Sequence, residues 1–376
     1  MLARLKFKID GLVNEMLDQL PDEVWINSTV TFLDPAMAGG QFLKEVVRRL
    51  RAAGHADENI SGRVFGVAED EIDLNYAIKN AKLIGKYDIG GYDFDYESEF
   101  GLKKFDVIVG NPPYQVPKES NPLESKPIWG DMLHKMSSLM KSNGYMAVIC
   151  PNRWLLPEAA KGFWKKIIKN GSLLWVNSGE CSKHFNVGRG PKYFGSFVFS
   201  SAKLKQPTKL VYISEKMELD VSTLDFLPTD ISKIGMNIFI KLMQVGKLNG
   251  RWNFQRGKRE LTVNQPKVGY GHAQHGADYE KLLMIDINGT DDFSIKSNDY
   301  TWVALPAGFI SESVETLFNS KLYKWYASST TDGDFSTSVQ KYIPKLDVTT
   351  KLTNKNIYDY FGLTEEEIVY IEEIIK

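Results

Sequence analysis

Cysteine and clustered histidine are scarce in this sequence. Cys150 and Cys181 are the two cysteines among 376 residues, too few for a disulfide framework or a cysteine zinc site, and they favour a reducing compartment. The five histidines, among them His272 and His275, lack the spacing of metal ligands. We therefore expect a cytoplasmic protein without a metal site.

Long apolar runs and an excess of one charge are also absent. No stretch approaches the length of a membrane span, and the first residues, Met1 to Ile9, lack the apolar core of a signal peptide. The 46 basic residues nearly balance the 47 acidic residues, as in an ordinary soluble protein with no membrane partner. Hydrophobic residues make up 43% of the chain, enough for a sizeable core, and its length predicts two domains.

One stretch combines a buried strand with a rigid polar turn. Phe105–Val109 contains four alternating or β-branched apolar residues, and the chain breaks at Gly110 before Asn111-Pro112-Pro113-Tyr114. The prolines exclude both a helix and ladder pairing, so the turn holds an amide at the carboxyl edge of a sheet, where α/β proteins bind ligands. An ordinary tight turn after a strand is the structural alternative.

A second turn of this kind lies upstream. Val30–Leu33 is apolar, Asp34–Gly40 is a glycine-bearing turn, and Gln41–Ala53 has helical spacing. Small residues at such a corner let a nucleotide approach the backbone. The sequence has neither Gly-x-Gly-x-x-Gly nor Gly-Lys-Ser/Thr here, so pyrophosphate and triphosphate are poor candidates.

Strand and helix patterns alternate up to about Ser201. They predict an α/β fold, a Rossmann-like sheet with helices on both faces, including a helix over Asp73–Leu83. The polar segment Gln115–Pro127 reads as a mobile loop. After residue 202 the alternation fades, so we place a catalytic domain over residues 1–202 and a mixed α+β domain over residues 203–376.

Asn111 suits methyl transfer to an exocyclic amine. Adenine N6 is a poor nucleophile because its lone pair is delocalised into the ring. The Asn111 side-chain oxygen and the Pro112 carbonyl can each accept one N6 hydrogen, which favours a pyramidal nitrogen, and Pro113 helps to stiffen the turn. Tyr114 would stack on the extruded base.

The two turns together resemble a known family. Phe32-Leu33-Asp34-Pro35-Ala36-Met37-Ala38-Gly39-Gly40-Gln41-Phe42-Leu43 and Asn111-Pro112-Pro113-Tyr114 are similar to the cofactor and catalytic motifs of amino-group DNA adenine-N6 methyltransferases. Their order resembles the gamma group, especially Eco57I-type methylases. The segments Val13–Pro21 and Tyr360–Glu367 share this resemblance. It implies an S-adenosylmethionine-dependent methyltransferase fold with a C-terminal DNA target-recognition domain.

The resemblance also implies a cofactor site. It assigns S-adenosylmethionine binding to residues of the glycine turn and two later strand ends: Asp34, Ala36, Met37, Gly39, Gly40, Glu69, Asp93 and Phe94. Two departures from the family pattern stand out. Ala38 replaces a glycine, and this replacement is unfavourable only if the position needs a positive φ. Ala68 stands where relatives carry the ribose-binding acid, so Glu69 must reach the ribose or binding is weaker. Asp95 is an alternative to Asp93.

By the same resemblance an aromatic residue stacks on the flipped adenine opposite Tyr114. Phe185 fits the motif position and Phe194 is the alternative, while a core role for either phenylalanine stays open. Basic residues nearby and in the second half are candidates for contacting DNA phosphates: Arg189, Lys192, Arg251, Arg256, Lys258 and Arg259.

Local charge supports a nucleic-acid partner. The segment from Lys161 to Lys209 contains ten Lys/Arg residues and one acidic residue. The segment from Lys233 to Lys267 contains eight and one. Aromatic residues in these stretches are candidates for packing against sugar or base: Trp164, Tyr193, Trp252 and Phe254. Solvated helix faces give similar charge counts.

We expect a standalone methyltransferase acting on adenine N6 in a specific double-stranded DNA sequence, with or without a separate cognate restriction endonuclease. Two other interpretations stay open. The same turn can serve an RNA adenine or a protein glutamine. Ala38 and Ala68 also allow a catalytically silent DNA-binding protein of the same fold.

Overall fold

The structure is a computed structural model that describes residues 10–67, 82–84, 94–118, 120–156, 159–179, 181, 194–256, 265–271, 283–289, 300–330 and 342–375. The chain divides into two compact units, Met1–Thr223 and Leu224–Lys376. This division lies 21 residues beyond the boundary predicted at residue 202 (223 − 202) because the segment after residue 202 still contributes strands to the first unit.

A mixed, mostly parallel sheet is the framework of the first unit. Its strands, in chain order, are β1 (Phe32–Asp34), β2 (Val64–Val67), β3 (Lys82–Ile84), β4 (Phe105–Gly110), β7 (Met140–Pro151), β8 (Ser172–Asn177), β9 (Phe194–Ser200), β10 (Thr208–Val211) and β11 (Lys216–Leu219), with the hairpin β5 (Gln115–Lys118) and β6 (Asn121–Pro127) outside it. The spatial order is β11-β10-β8-β9-β7-β4-β1-β2-β3. The predicted α/β fold is thereby confirmed.

Helices pack against this sheet through apolar faces. They are α1 (Asp10–Leu17), α2 (Glu23–Ile26), α3 (Gln41–Ala52), α4 (Asp57–Ser61), α5 (Tyr96–Phe100), α6 (Trp129–Ser138) and α7 (Ala159–Lys166), with 3₁₀ turns at Asn152–Leu155 and Ile168–Asn170. In α3 the residues at i, i+4 and i+8 spacing, Phe42, Val46 and Leu50, are buried while Lys44 and Arg48 are exposed. This helical period places one stripe in the core.

Two predicted elements differ in the structure. The predicted helix Asp73–Leu83 lies mostly outside the described residues, and its last two positions belong to β3, where Leu83 pairs with Gly66. Parallel pairing with β2 thus overrides the helical spacing there. The predicted loop Gln115–Pro127 is instead the β5–β6 hairpin, because its alternating residues pair across the two strands.

The second unit combines an antiparallel sheet with helices. Its strands are β12 (Gln255–Arg256), β13 (Lys267–Gly271), β14 (Leu283–Asp286) and β15 (Tyr300–Ala304), in the order β12-β15-β13-β14. Its helices are α8 (Lys233–Asn249), α9 (Ser311–Phe318), α10 (Lys321–Thr330), α11 (Asn354–Tyr360) and α12 (Glu365–Ile374). Thr364 begins α12 through the predicted capping box with Glu367.

Two features are absent from the described ranges. None of the helices there is long and apolar enough to span a bilayer. No group of three or more His, Cys, Asp and Glu side chains in the same ranges is arranged to hold a metal ion.

Candidate active site

The two turns singled out by the sequence leave the sheet side by side. β1 and β4 are neighbouring parallel strands, with Phe32 opposite Val107 and Leu33 opposite Ile108. β1 ends at Asp34 and β4 ends at Gly110, so the following turns emerge at the same carboxyl edge. Sheet pairing therefore brings together residues that are more than seventy positions apart in the chain.

Asp34 joins the two turns. Its side chain is 1% exposed, and its Oδ1 accepts a hydrogen bond of 3.1 Å from the backbone N–H of Ala36. Gly110 has a φ of +150°, and a Cβ at that position would lie 2.7 Å from Asp34 Oδ1. Burial raises the pKa of Asp34 to about 7, although the Ala36 hydrogen bond lowers it. The carboxyl group thus lies directly against the backbone that precedes Asn111.

The glycine turn has a left-handed backbone at two positions. Gly40 has a φ of 71° and precedes α3, and Ala38 has a φ of 43°. The Met37 N–H donates to Val67 O at 2.9 Å, which ties the turn to the end of β2. The Met37 side chain is buried in the core. The position of Ala38 therefore does need a positive φ, the conformation that glycine adopts without strain.

The turn Asn111–Tyr114, called the catalytic turn here for its predicted role, is organised by Tyr114. Its hydroxyl group donates a 2.6 Å hydrogen bond to Asn111 Oδ1, and its carbonyl oxygen accepts hydrogen bonds from the N–H groups of Ile128 and Trp129 at 3.0 and 3.3 Å. Pro112 is buried and Asn111 is partly exposed. These contacts hold the Asn111 amide in one orientation while leaving it accessible.

Phe194 completes an aromatic pair with Tyr114. The ring centroids are 5.1 Å apart with an interplanar angle of 30°, and Phe194 is buried at the start of β9. Phe185, the other candidate for stacking on the base, lies outside the described residues. Of the two candidates, the structure therefore describes only the surroundings of Phe194.

The remaining predicted cofactor residues are not brought together in the described part of the chain. Phe94 packs against Tyr96 and Phe100, with ring centroids 4.8 and 5.8 Å away. Asp95 accepts hydrogen bonds from the N–H groups of Glu97 and Ser98 as the N-cap of α5. Glu69 and Asp93 lie outside the described residues. Their roles stay predictions.

Among the predicted DNA contacts, Arg251 already has partners within the second unit. Its Nη2 donates to Asp225 Oδ2 at 2.6 Å, and its guanidinium group lies 4.5 Å from the centre of the Tyr342 ring. Arg256 belongs to β12, where the backbone alone is described. The other four predicted contacts lie outside the described residues: Arg189, Lys192, Lys258 and Arg259.

Of the four aromatic residues expected to pack against sugar or base, the structure describes three, and all three are buried. Trp164, Trp252 and Phe254 are each at most 2% exposed and belong to the cores of their units. The expectation for these three was wrong because burial of a large apolar ring outweighs exposure beside basic residues. Tyr193 lies outside the described residues.

Residues 38–184 match the model of the Eco57I restriction-modification methylase family. This segment is similar to the methylase domain of that family and covers less than half of the chain. The matched segment begins at Ala38 in the glycine turn and contains the whole catalytic turn. The family resemblance that the two motifs indicated is confirmed over these residues.

A curated relative is similar to part of the chain. An uncharacterized adenine-specific methylase of Mycoplasma pneumoniae is 32% identical over 112 residues, which cover 27% of this chain and 26% of that protein. The match thus spans about a quarter of the relative's length.

Solved structures with low sequence identity are also similar. The methyltransferase subunit of a type I restriction-modification system from Streptococcus thermophilus has a TM-score of 0.38 and 16% identity, covering 53% of this chain and 45% of that chain. The type IIG restriction endonuclease BpuSI has a TM-score of 0.42 and 12% identity, covering 67% of this chain and 35% of that chain.

Sequence reasoning missed two contacts in the first unit. It gave no indication that Asp34 lies against Gly110, or that the buried Asn152 bonds to carbonyl groups at the ends of neighbouring strands. The polar residue directly after the apolar strand β7 was the available signal for Asn152. Both contacts join distant parts of the chain, and local patterns do not reveal such pairs.

Proposed function

We propose that this chain transfers a methyl group from S-adenosylmethionine to N6 of an adenine flipped out of double-stranded DNA at a specific sequence. The observation that carries the proposal is the Asn111 amide, oriented by Tyr114, beside the glycine turn of an Eco57I-type domain. The two free, buried cysteines are consistent with a cytoplasmic location.

The residues of the glycine turn fit the proposed cofactor. S-adenosylmethionine supplies, when bound, a methyl group on a positively charged sulfur. A buried carboxyl group such as Asp34, with a pKa raised to about 7, regains its charged form beside a cation. A Cβ on Gly40 would meet no atom within 4 Å, so a ligand can approach its backbone closely. Ala36 and Gly39 complete the proposed cofactor-binding turn.

The catalytic turn would activate the adenine amine. An amide oxygen has two lone pairs, so Asn111 Oδ1 can accept one N6 hydrogen while it still accepts the Tyr114 hydroxyl. The Pro112 carbonyl would accept the other hydrogen. This geometry favours a pyramidal N6 whose lone pair faces the methyl group, and the stiff turn needs little reorganisation. Once methylated, N6 releases one proton to water.

The aromatic pair would hold the base. The Tyr114 ring would stack on the extruded adenine and replace stacking lost from the duplex, with Phe185 or Phe194 as its partner. We propose that the second unit recognises the target sequence, because a base-flipping enzyme must also contact the duplex around the extruded base.

Native long-read sequencing tests this function. DNA from a methylation-deficient host that expresses the chain should carry N6-methyladenine at one recurring motif, and DNA from cells with the Asn111→Ala variant should not. Asn170→Ala is a matched control, because Asn170 lies in the same unit and bonds only locally to Lys166 O. Unmodified DNA from soluble, folded protein would contradict the proposal and favour an RNA or protein substrate.

A further inference from the structure

Asn152 is a buried amide at the same edge of the sheet as the catalytic turn. It follows Pro151, the last residue of β7, and β7 pairs with both β4 and β9. Its side chain is 1% exposed. A buried amide is costly unless its donors are satisfied, so its partners define what it does in the fold.

The Asn152 amide ties two neighbouring strands together. Its Nδ2 group donates to Ser178 O at 2.7 Å and to Phe194 O at 3.1 Å. Ser178 directly follows β8, and Phe194 begins β9. One side chain thereby links the carboxyl end of β8 to the amino end of β9, next to the last paired residues of the two strands, Asn177 and Ser196.

Gly195 is shaped to this amide. A Cβ at residue 195 would lie 1.8 Å from Asn152 Oδ1 and 2.9 Å from Asn177 O. The absence of a side chain lets the amide lie directly on the backbone of β9. Any side chain at residue 195 would therefore clash with the Asn152 amide.

A short chain of contacts leads from Asn152 to the catalytic amide. Phe194, whose carbonyl oxygen Asn152 holds, packs its ring 5.1 Å from that of Tyr114. The Tyr114 hydroxyl donates to Asn111 Oδ1 at 2.6 Å. A shift of the Phe194 backbone would therefore move the surface against which Tyr114 rests.

We propose that Asn152 is a positioning residue that sets the Tyr114 ring and the Asn111 amide through Phe194. The effect of Asn152 on catalysis rests on the proposed function. The orientation of the Tyr114 ring is a property of the protein without cofactor or DNA. Asn152 makes no contact with the reacting atoms in this scheme.

Fluorine NMR tests the positioning without cofactor or DNA. In protein labelled with 3-fluorotyrosine, the Tyr114 signal is identified by its loss in the Tyr114→Phe variant. Asn152→Ser removes both donated hydrogen bonds and should shift or broaden that signal. Thr208→Val is the matched control: it removes a buried 2.8 Å bond to Leu173 O, farther along the sheet, and should leave the signal unchanged.

Kinetics tests the catalytic part. Asn152→Ser should lower kcat about tenfold or more, since small misplacements of catalytic groups have such effects, while KM for S-adenosylmethionine changes less than about twofold. Thr208→Val should preserve both constants. If Asn152→Ser does not fold, Asn152→Asp keeps the size of the side chain and replaces the donor by an oxygen.

The outcomes separate the two proposals. A folded Asn152 variant with an unchanged Tyr114 signal and unchanged kcat would overturn the positioning role. A Thr208→Val variant that reproduces both changes would overturn it too, because the effects would then reflect lost stability. If the unmodified chain does not methylate DNA, the proposed function fails, and the NMR signal still decides whether Asn152 positions Tyr114.

Discussion

Ala38 occupies a backbone conformation that suits glycine better. Its φ of 43° is left-handed, which costs a residue with a Cβ about 1–2 kcal/mol. Ala38→Gly removes this strain but adds about 0.4–1 kcal/mol of unfolded-state entropy. We expect a net gain of about 0–1.6 kcal/mol in the free energy of unfolding, measured by chemical denaturation.

Ala36→Gly is the control for this prediction. Ala36 lies in the same turn but is not among the residues with positive φ, so glycine there should lower the free energy of unfolding. Equal effects of the two substitutions would show that the left-handed backbone of Ala38 is not the cause. Equilibrium binding of S-adenosylmethionine to the Ala38→Gly variant should be at least as tight as to the unmodified chain.

Asp34 makes stability depend on pH in a defined direction. Burial raises its pKa from 3.8 to about 7, so the folded state holds the proton more tightly than the unfolded state. Its contribution to stability is full below pH 4 and is lost as pH rises through about 7. The pKa difference corresponds to on the order of 4 kcal/mol. Asp34→Asn should remove this loss and gain stability relative to the unmodified chain between pH 5 and pH 8.

Denaturation of both proteins at pH 5 and pH 8 checks the sign. Asp106→Asn is the control: burial raises the pKa of Asp106, but hydrogen bonds from Lys141 and Thr31 lower it overall. The stabilisation from Asp106 is lost only as the pH falls below the usual pKa range of an aspartate. The stability change caused by Asp106→Asn should therefore be constant from pH 5 to pH 8. A constant difference for Asp34→Asn as well would contradict the raised pKa.

The pairing of β13 with β14 contains a buried ion pair. Lys267 and Asp286 lie directly opposite each other, their charged atoms are 3.0 Å apart, and both side chains are buried. Asp286→Asn leaves the ammonium group without its carboxylate, and we expect it to lower the free energy of unfolding of the second unit by about 3–5 kcal/mol. Denaturant titration measures this change.

An exposed pair provides the matched control. Glu312 and Lys351 are 3.7 Å apart and about 70% exposed, so Glu312→Gln should change stability by less than about 0.5 kcal/mol. Replacing the buried pair together, as Lys267→Met with Asp286→Leu, should restore most of the lost stability because no charge is then buried alone. A small effect of Asp286→Asn would mean that water reaches the ammonium group.

The hairpin β5–β6 was predicted as a loop, and its pairing shows why local patterns were insufficient. Its residues are polar and include prolines, so local patterns indicated a loop. The register from Gln115 opposite Pro127 to Pro117 opposite Ser125 nevertheless forms an antiparallel pair. Its ends are fixed by the catalytic turn, since Ile128 and Trp129 donate to Tyr114 O. Anchored ends reduce the entropy cost of pairing.

The division into two units predicts which fragment of the chain folds by itself. Residues 1–223 retain β10 and β11, which continue the sheet beside β8. This fragment should fold and be stabilised by S-adenosylmethionine, by about 2.7 kcal/mol at a hundredfold excess over Kd, but should lose sequence-specific methylation. Thermal unfolding with and without cofactor, together with a methylation assay, checks both statements.

A shorter fragment tests the boundary itself. Residues 1–202 would end the sheet at β8 and remove Thr208, whose hydroxyl bonds to Leu173 O. This fragment should unfold at a lower temperature than residues 1–223. Equal stability of the two fragments would favour the boundary at residue 202 that the fading strand–helix alternation indicated.

The sequence by itself determined the two turns, their order and most strands and helices of the methylase domain. An apolar run followed by glycine or proline is a local signal of a strand that ends in a turn. Such a signal lies within a few residues at both Asp34–Gly40 and Asn111–Tyr114. The capping box of Thr364 was readable for the same reason. Such features depend on neighbours in the chain.

Only the tertiary structure decided which residues meet. Sheet pairing placed Asp34 against Gly110, Phe194 against Tyr114 and the Asn152 amide between β8 and β9. Burial also turned Trp164 into a core residue, although its basic neighbours suggested a nucleic-acid contact. These contacts depend on strand order and packing, which join residues far apart in the chain, whereas hydrophobic periodicity reports only on the face of a single element.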